Sequence, residues 1–283
     1  MQKNIETFIG CDAEYDTADI VIFGAPYDGT TSNRPGARFG GKAIRAESFG
    51  IETYSPYLER DLDDMKIFDG GELELPFGDP APVLEAIRNL TKKVISDKKI
   101  PVMLGGEHLV TLGAVQAFVE SKIYPDLQII HFDAHADLRD EYMGQKLSHA
   151  CVIRRCHELL GDKKIHSFGI RSGTREEFDW AKNHINLNLF SCNFNNLEIP
   201  KNAPVYLTID LDILDPSVFP ATGTPEAGGW QFDMLRNYIF ECCKAYNIVG
   251  ADLVEYAPPL DYNGVCAATA CKVLRELLLS LRV

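Results

Sequence analysis

The stretch Asp133-Ala-His135-Ala-Asp137 carries three metal-ligand side chains at every second position. In an extended chain, positions i, i+2 and i+4 face the same side, so two carboxylates and one imidazole would point to one place. Three further segments end in similar groups. His108 follows Gly105-Gly106-Glu107, Asp210 and Asp212 close the run from Val205, and Glu255 follows the run from Ile248. Taken singly, each has a plain structural reading: His108 as a helix-start or core histidine, Asp212 as a turn cap, Glu255 as the partner of an arginine. Together they are two histidines and five carboxylates, which would repel one another and lose hydration if gathered at one buried rim. Divalent cations resolve that conflict.

His108, Asp133, His135, Asp137, Asp210 and Asp212 are more ligands than one ion needs, so two ions bridged by carboxylates fit better. Oxygen-rich ligation with two imidazoles and no thiol suits Mn²⁺ over structural zinc, while residue type alone leaves Fe²⁺, Co²⁺ and Ni²⁺ open.

The segments that must position these residues alternate between two kinds. Short β-rich runs fall at Asp19–Gly24, Lys66–Phe68, Pro101–Leu104, Gln128–Asp133, Lys164–Gly169, Asn186–Phe190, Val205–Asp210 and Val249–Val254. Helical spacing occupies Val83–Ser96, Leu109–Val119, Cys151–Leu160, Arg175–Asn183, Phe232–Tyr246 and Ala267–Leu281. Alternation of continuous apolar strands with helices predicts an α/β fold, a mostly parallel sheet with helices on both faces. In such sheets the ligand site lies beyond the carboxyl ends of the strands, where the candidate ligands fall.

The chain has 283 residues, 46% hydrophobic and 24% charged, without repeats or low-complexity linkers, and reads as one domain over 1–283. A formal net charge of −13 argues against nucleic-acid or anionic-membrane partners and suits a cationic substrate. Neither a secretory signal nor a membrane-length apolar run is present in the sequence, and the eight cysteines form no CxxC pair. Reduced thiols in a cytoplasmic protein are the expectation.

The motifs Gly105-Gly-Glu-His108, Asp133-Ala-His-Ala-Asp137, Ser148-His149, Leu207-Thr-Ile-Asp-Leu-Asp-Ile-Leu-Asp-Pro216, Ala221-Thr-Gly-Thr-Pro-Glu-Ala-Gly-Gly229 and Asp252-Leu-Val-Glu255 together resemble the ureohydrolase (arginase/agmatinase) family along nearly the whole chain. The resemblance implies a three-layer α/β/α fold with an eight-stranded sheet and two Mn²⁺ per chain. One ion would take His108, Asp133, Asp137 and Asp210, the other Asp133, His135, Asp210 and Asp212, with Asp133 and Asp210 bridging. A guanidinium carbon is a poor electrophile, and metal-activated water meets the need for a strong nucleophile. By the same resemblance Glu255 would align the guanidinium and His149 would shuttle a proton to the departing amine. Thr222 and Thr224 would contact substrate or hold their turn. Asn33 and Arg34 would line the pocket or a subunit contact, and the family implies a homo-oligomer, trimer or hexamer.

The arginase branch places an asparagine shortly after its Asp-x-His-x-Asp motif, where this chain has Leu138-Arg139-Asp140. It also carries acidic residues after a Gly-Leu-Arg-like turn, where Ser172-Gly173-Thr174 stands. The wording resembles the agmatinase branch instead, which implies a small cationic guanidino substrate: agmatine, hydrolysed to putrescine and urea. The alternatives are a guanidinobutyrate hydrolase, for which Arg34 or Arg139 would hold the tail, a formiminoglutamate or arginine hydrolase, and a non-catalytic metal- or polyamine-binding regulator.

Overall fold

The computed structural model of the chain describes residues 6–189, 197–200 and 202–282. Eight strands, all paired in parallel, form one sheet: β1 (Ile20–Ala25), β4 (Ile67–Glu72), β5 (Ile100–Gly105), β6 (Gln128–Phe132), β7 (Ile165–Phe168), β8 (Asn186–Asn188), β9 (Pro204–Asp210) and β10 (Asn247–Val254). Their order across the sheet is β4-β1-β5-β10-β9-β6-β7-β8. A separate antiparallel ribbon pairs β2 (Tyr54–Ser55) with β3 (Arg60–Asp61). Among the described residues, seven α-helices accompany them: α1 (Gly40–Glu47), α2 (Pro80–Ser96), α3 (Val110–Ser121), α4 (Val152–Leu160), α5 (Arg175–His184), α6 (Phe232–Ala245) and α7 (Val265–Ser280).

Period-two burial divides the core. Ile20, Ile22, Ile130, Phe132, Val205, Leu207 and Ile209 pack on the side of α1, α6 and α7. Phe23, Ile129 and Tyr206 pack on the side that holds α2, α3, α4 and α5. The expected three-layer α/β/α architecture with an eight-stranded sheet is therefore observed, and parallel throughout. All eight expected strands are present, although Phe190, the end of the expected 186–190 run, lies outside the described residues, as does Cys192. Helix α1 and the β2–β3 ribbon had no counterpart in the sequence reading. Only eight residues long and beginning Gly40-Gly41, α1 is too short and too glycine-rich to show a helical period.

Tertiary contacts hold α1 in place. Arg45 is buried to 1% exposure, and its Nε lies 2.8 Å from Asp69 Oδ2 on β4. Glu72 completes the pair's surroundings, and Asp69 also accepts from Phe8 N and Gly71 N, each at 2.9 Å. Arg45→Met would leave Asp69 charged, buried and without its counter-ion. We expect a loss of about 3–5 kcal/mol, read as a lower urea midpoint, and an unchanged midpoint would contradict that role.

The seven described cysteines are buried. No helix among the described residues is long and apolar enough to cross a membrane.

Candidate metal centre and active site

Four adjacent strands in the middle of the sheet, β5, β10, β9 and β6, carry the candidate ligands at their carboxyl ends. Parallel register sets them level, with Val254 opposite Asp210 and Phe132 opposite Ile209, so Glu255 and Asp133 emerge beside the end of β9. The β5 end turns at Gly105-Gly106, where any Cβ on Gly106 would lie 1.8 Å from the Tyr27 carbonyl oxygen. Only glycine fits there, and Gly106 O accepts from Glu255 N at 2.9 Å, tying the β5 turn to the β10 end.

His108, Asp133, Asp137, Asp210, Asp212 and Glu255 are all buried, and His135 is half-buried. His108 Nδ1 stands 3.0 Å from Asp133 Oδ2, 3.2 Å from Asp137 Oδ2 and 3.3 Å from Asp210 Oδ2. It nevertheless makes no hydrogen bond. The reason lies on the other side of the ring. Thr208 donates its one hydroxyl proton to Asp252 Oδ1 at 2.6 Å, so the same oxygen accepts from His108 Nε2 at 2.9 Å. Thr111 and Tyr206 donate to the second Asp252 oxygen, each at 2.8 Å. A proton is thereby held on Nε2, and Nδ1 is the nitrogen left to face three carboxylate oxygens, which a bound cation would require as a lone pair. A cation at their centre turns that repulsion into ligation. Separations near 3 Å match neighbouring ligands around an ion with bonds of about 2.1 Å.

A second imidazole gathers a second set. His135 Nδ1 lies 2.8 Å from Asp212 Oδ2 and 3.6 Å from Asp133 Oδ1. Asp133 thus turns one oxygen toward each imidazole, as a bridging carboxylate does. Asp210 turns Oδ2 toward His108, while its Oδ1 accepts from Asp212 N at 2.8 Å. Ligand atoms of Asp133, His135 and Asp212 all lie within 4.8 Å of one another. The donor set therefore fits two divalent ions.

Extended geometry is not what brings these groups together. Strand β6 stops at Phe132, and the chain then bends until Asp137 adopts φ +51°. Asp212 likewise sits beyond β9, in a short helical turn at Leu211–Ile213. Period-two spacing singled out the candidates, and local hydrogen bonds aim them. Asp212 Oδ1 accepts from Ala134 N at 3.0 Å, and Glu177 Oε1 accepts from Leu138 N at 2.9 Å. Glu177 is itself fixed by the capping box it forms with Thr174 at the start of α5.

Burial, reinforced by Asp212 and Asp133, pushes the Asp210 carboxyl well above the ordinary aspartate range. Burial and then the neighbouring Glu107 push Glu255 upward in the same way. Both shifts measure the conflict that bound cations would relieve.

A cavity of about 270 Å³ opens onto this centre, lined among others by Ser32, His108, His135, Asp137, Arg139, Tyr142, His149, Thr224 and Glu255. Glu255 adopts φ +66°, and its Oε1 accepts from His108 N at 2.7 Å. His149 is held by the loop after β1: its N–H donates to Thr30 Oγ1 at 3.1 Å, and Thr30 donates to Glu107 Oε1 at 2.6 Å. Burial pushes Glu107 up to about 7, against the pull of the Thr30 and Thr31 donors. Burial also holds the His149 pKa below the ordinary histidine value, which leaves it neutral at neutral pH.

The other substrate-contact candidates fare differently. Asn33 donates to Gly223 O at 3.0 Å and does not line the cavity, whereas Ser32 does. Thr222 is fully buried with an unpartnered hydroxyl, and Thr224 faces the cavity in its place. Arg139 lines the wall, stacked on Tyr142 at 4.7 Å and 3.8 Å from Glu177.

The sequence reading missed four supporting residues. His131 Nε2 is 2.8 Å from Asp133 Oδ2, with Nδ1 3.0 Å from Ser167 Oγ. Its position two residues before Asp133 was the available signal, since both point to one face of the strand. Thr208, two residues before Asp210, carried the same signal, Asp252 stood in the Asp252-Leu-Val-Glu255 motif without a role, and nothing marked Thr30.

Comparison with known proteins gives a consistent picture. A family model described as the arginase family matches residues 18–280. An agmatinase of Bacillus subtilis (strain 168) is 47% identical over 282 residues, covering 97% of this chain and 96% of that protein. An N(1)-aminopropylagmatine ureohydrolase of Thermococcus kodakarensis is 38% identical over 268 residues, covering 92% of this chain and 90% of that protein. The crystal structure of a putative agmatinase from Clostridium difficile superposes with a TM-score of 0.88 at 48% identity, covering 95% of this chain and 98% of that one.

Proposed function

Because this chain belongs to the arginase family, we propose that it is an agmatinase, an amidinohydrolase that converts agmatine and water to putrescine and urea. The observation that carries the reading is the buried His108 Nδ1, without a hydrogen bond and facing three carboxylate oxygens, beside a cavity lined by Glu255 and His149. In this reading His108, Asp133, Asp137 and Asp210 hold one divalent ion, and Asp133, His135, Asp210 and Asp212 hold the other. Oxygen-rich ligation supports Mn²⁺ at both. When bound, the two ions supply an activated water at neutral pH.

The protein's own groups do the rest. Glu255 accepts N–H bonds from the planar guanidinium and presents its carbon face-on. His149, neutral at rest, takes up a proton within the cavity and delivers it to the departing amine nitrogen, which cannot leave as an anion. The bond between the guanidinium carbon and its alkyl-bearing nitrogen breaks once the oxygen of water is bonded to that carbon, leaving urea on one side and the diamine on the other. Thr224 and Ser32, which line the cavity, are the substrate contacts that replace Thr222 and Asn33. A cytosolic location and a homo-oligomer, trimer or hexamer, belong to the same reading. The eight cysteines, with no CxxC pair among them, support the first.

One observation favours a second substrate. Arg139 on the cavity wall suits an anionic tail such as that of guanidinobutyrate, although Glu177 already offsets its charge. Urea release from the Mn²⁺-reconstituted protein, with agmatine, arginine and guanidinobutyrate in parallel, decides between them. We expect urea from agmatine at a kcat/KM at least about a hundredfold above the others, because a tail of the wrong charge leaves buried groups unpaired. Preference for guanidinobutyrate would move the tail assignment to Arg139, and no urea from any of the three would overturn the reading.

A further inference from the structure

A second cluster of ligand-type side chains lies where α4 and α5 end, away from the cavity at their N-terminal ends. His157 is in the last turn of α4, His184 closes α5, and Asp162 sits on the turn that follows α4. His157 Nε2 and His184 Nδ1 reach the same oxygen, Asp162 Oδ1, at 2.8 and 2.6 Å. One ligand atom from each residue lies within 4.8 Å of the other two.

The two rings are oriented by a third. Trp180 stacks on His184 at 4.3 Å and 19°, and meets His157 edge-on at 4.7 Å and 87°. The Arg154 guanidinium stands over the Trp180 ring at 3.9 Å. Both imidazoles therefore aim their nitrogens before any ligand arrives, which lowers the ordering cost of binding. His157 Nδ1 is buried without a partner, so Nε2 is the nitrogen available to a ligand.

We propose that His157, Asp162 and His184 form an additional metal site, separate from the catalytic pair, that takes a borderline divalent ion such as Zn²⁺ and clamps α4 to α5. Two imidazoles and one carboxylate form a zinc-type donor set, and the exposed side of Asp162 leaves room for water as a further ligand. Both histidines sit at helix C-termini, where the backbone dipole favours positive charge. The nearby lysines are already engaged: Lys163 with the carbonyls of Lys182 and Ile185, Lys182 with Asp179. Mn²⁺, with its preference for oxygen ligands and its place at the weak end of the divalent series, is not expected to hold there.

The test is the zinc content of the full chain after dialysis against Zn²⁺, wild type beside His184→Gln and Asp162→Asn. Zinc that enters the catalytic centre enters all three proteins alike, so the difference between them reports this cluster whatever the substrate proves to be. We expect one zinc per chain more in the wild type than in either variant, and a zinc-dependent rise in Tm larger in the wild type. Should His184→Gln fail to fold, Asp162→Asn on its exposed turn carries the comparison. Equal zinc content in wild type and a folded variant would show the cluster to be a hydrogen-bonded clip and overturn the proposal.

Discussion

Asp133→Asn is expected to lower turnover at least about a thousandfold, equivalent to about 4 kcal/mol of transition-state stabilisation, and to leave fewer than two metal ions per chain. The substitution keeps the side chain's size and one of its oxygens. It removes a negative charge from the residue that turns Oδ2 toward His108 Nδ1 at 3.0 Å and Oδ1 toward His135 Nδ1 at 3.6 Å. An amide nitrogen on the Oδ2 side would place a donor 2.8 Å from His131 Nε2 and could not ligate an ion. An amide nitrogen on the Oδ1 side would meet the His135 N–H, which now donates to that oxygen at 2.5 Å. Either rotamer costs a ligand. Metal counting and urea release on the same preparation check the expectation. Two ions per chain with wild-type turnover would remove Asp133 from the centre and, with it, the bridged arrangement.

Glu255→Gln separates substrate alignment from metal holding. Glu255 Oε1 accepts from His108 N at 2.7 Å, and a glutamine oxygen can keep that bond and the φ of +66° around it. The other position becomes an NH₂ group, which meets the N–H donors of a guanidinium with donors of its own. We expect two ions per chain to be retained while kcat/KM falls by about a hundredfold or more, as misalignment of a reacting group does. Loss of metal in step with activity would instead make Glu255 a support of the His108 turn. Unchanged kinetics would exclude it from the substrate altogether.

These two experiments probe different depths of what the sequence contains. Ligand residue types, their place directly after apolar runs and the alternation of strand with helix were all legible, because each is written within a few neighbouring residues. The resemblance to a family then grouped residues that local reading could only list.

Tertiary structure alone decided that β5, β10, β9 and β6 are neighbours, since chain order places α3, α4, α5, α6, two further strands and long loops among them. Strand adjacency is set by long-range hydrogen bonding and helix packing, which leave no mark on a local period. The same holds for the bend that carries Asp137 to φ +51°, imposed by contacts with Ser172, Ala150 and α4 rather than by the Asp-Ala-His-Ala-Asp spacing. It holds too for the Thr208–Asp252 pair that keeps a proton on the far nitrogen of His108, and for the Glu107–Thr30 pair that holds His149. Thr222 and Thr224 show the limit most simply: two identical side chains, two residues apart, of which burial of the loop sends one inward and leaves the other facing the cavity. The sequence determined which groups were available for the chemistry, and the packing of the folded chain determined which of their atoms meet.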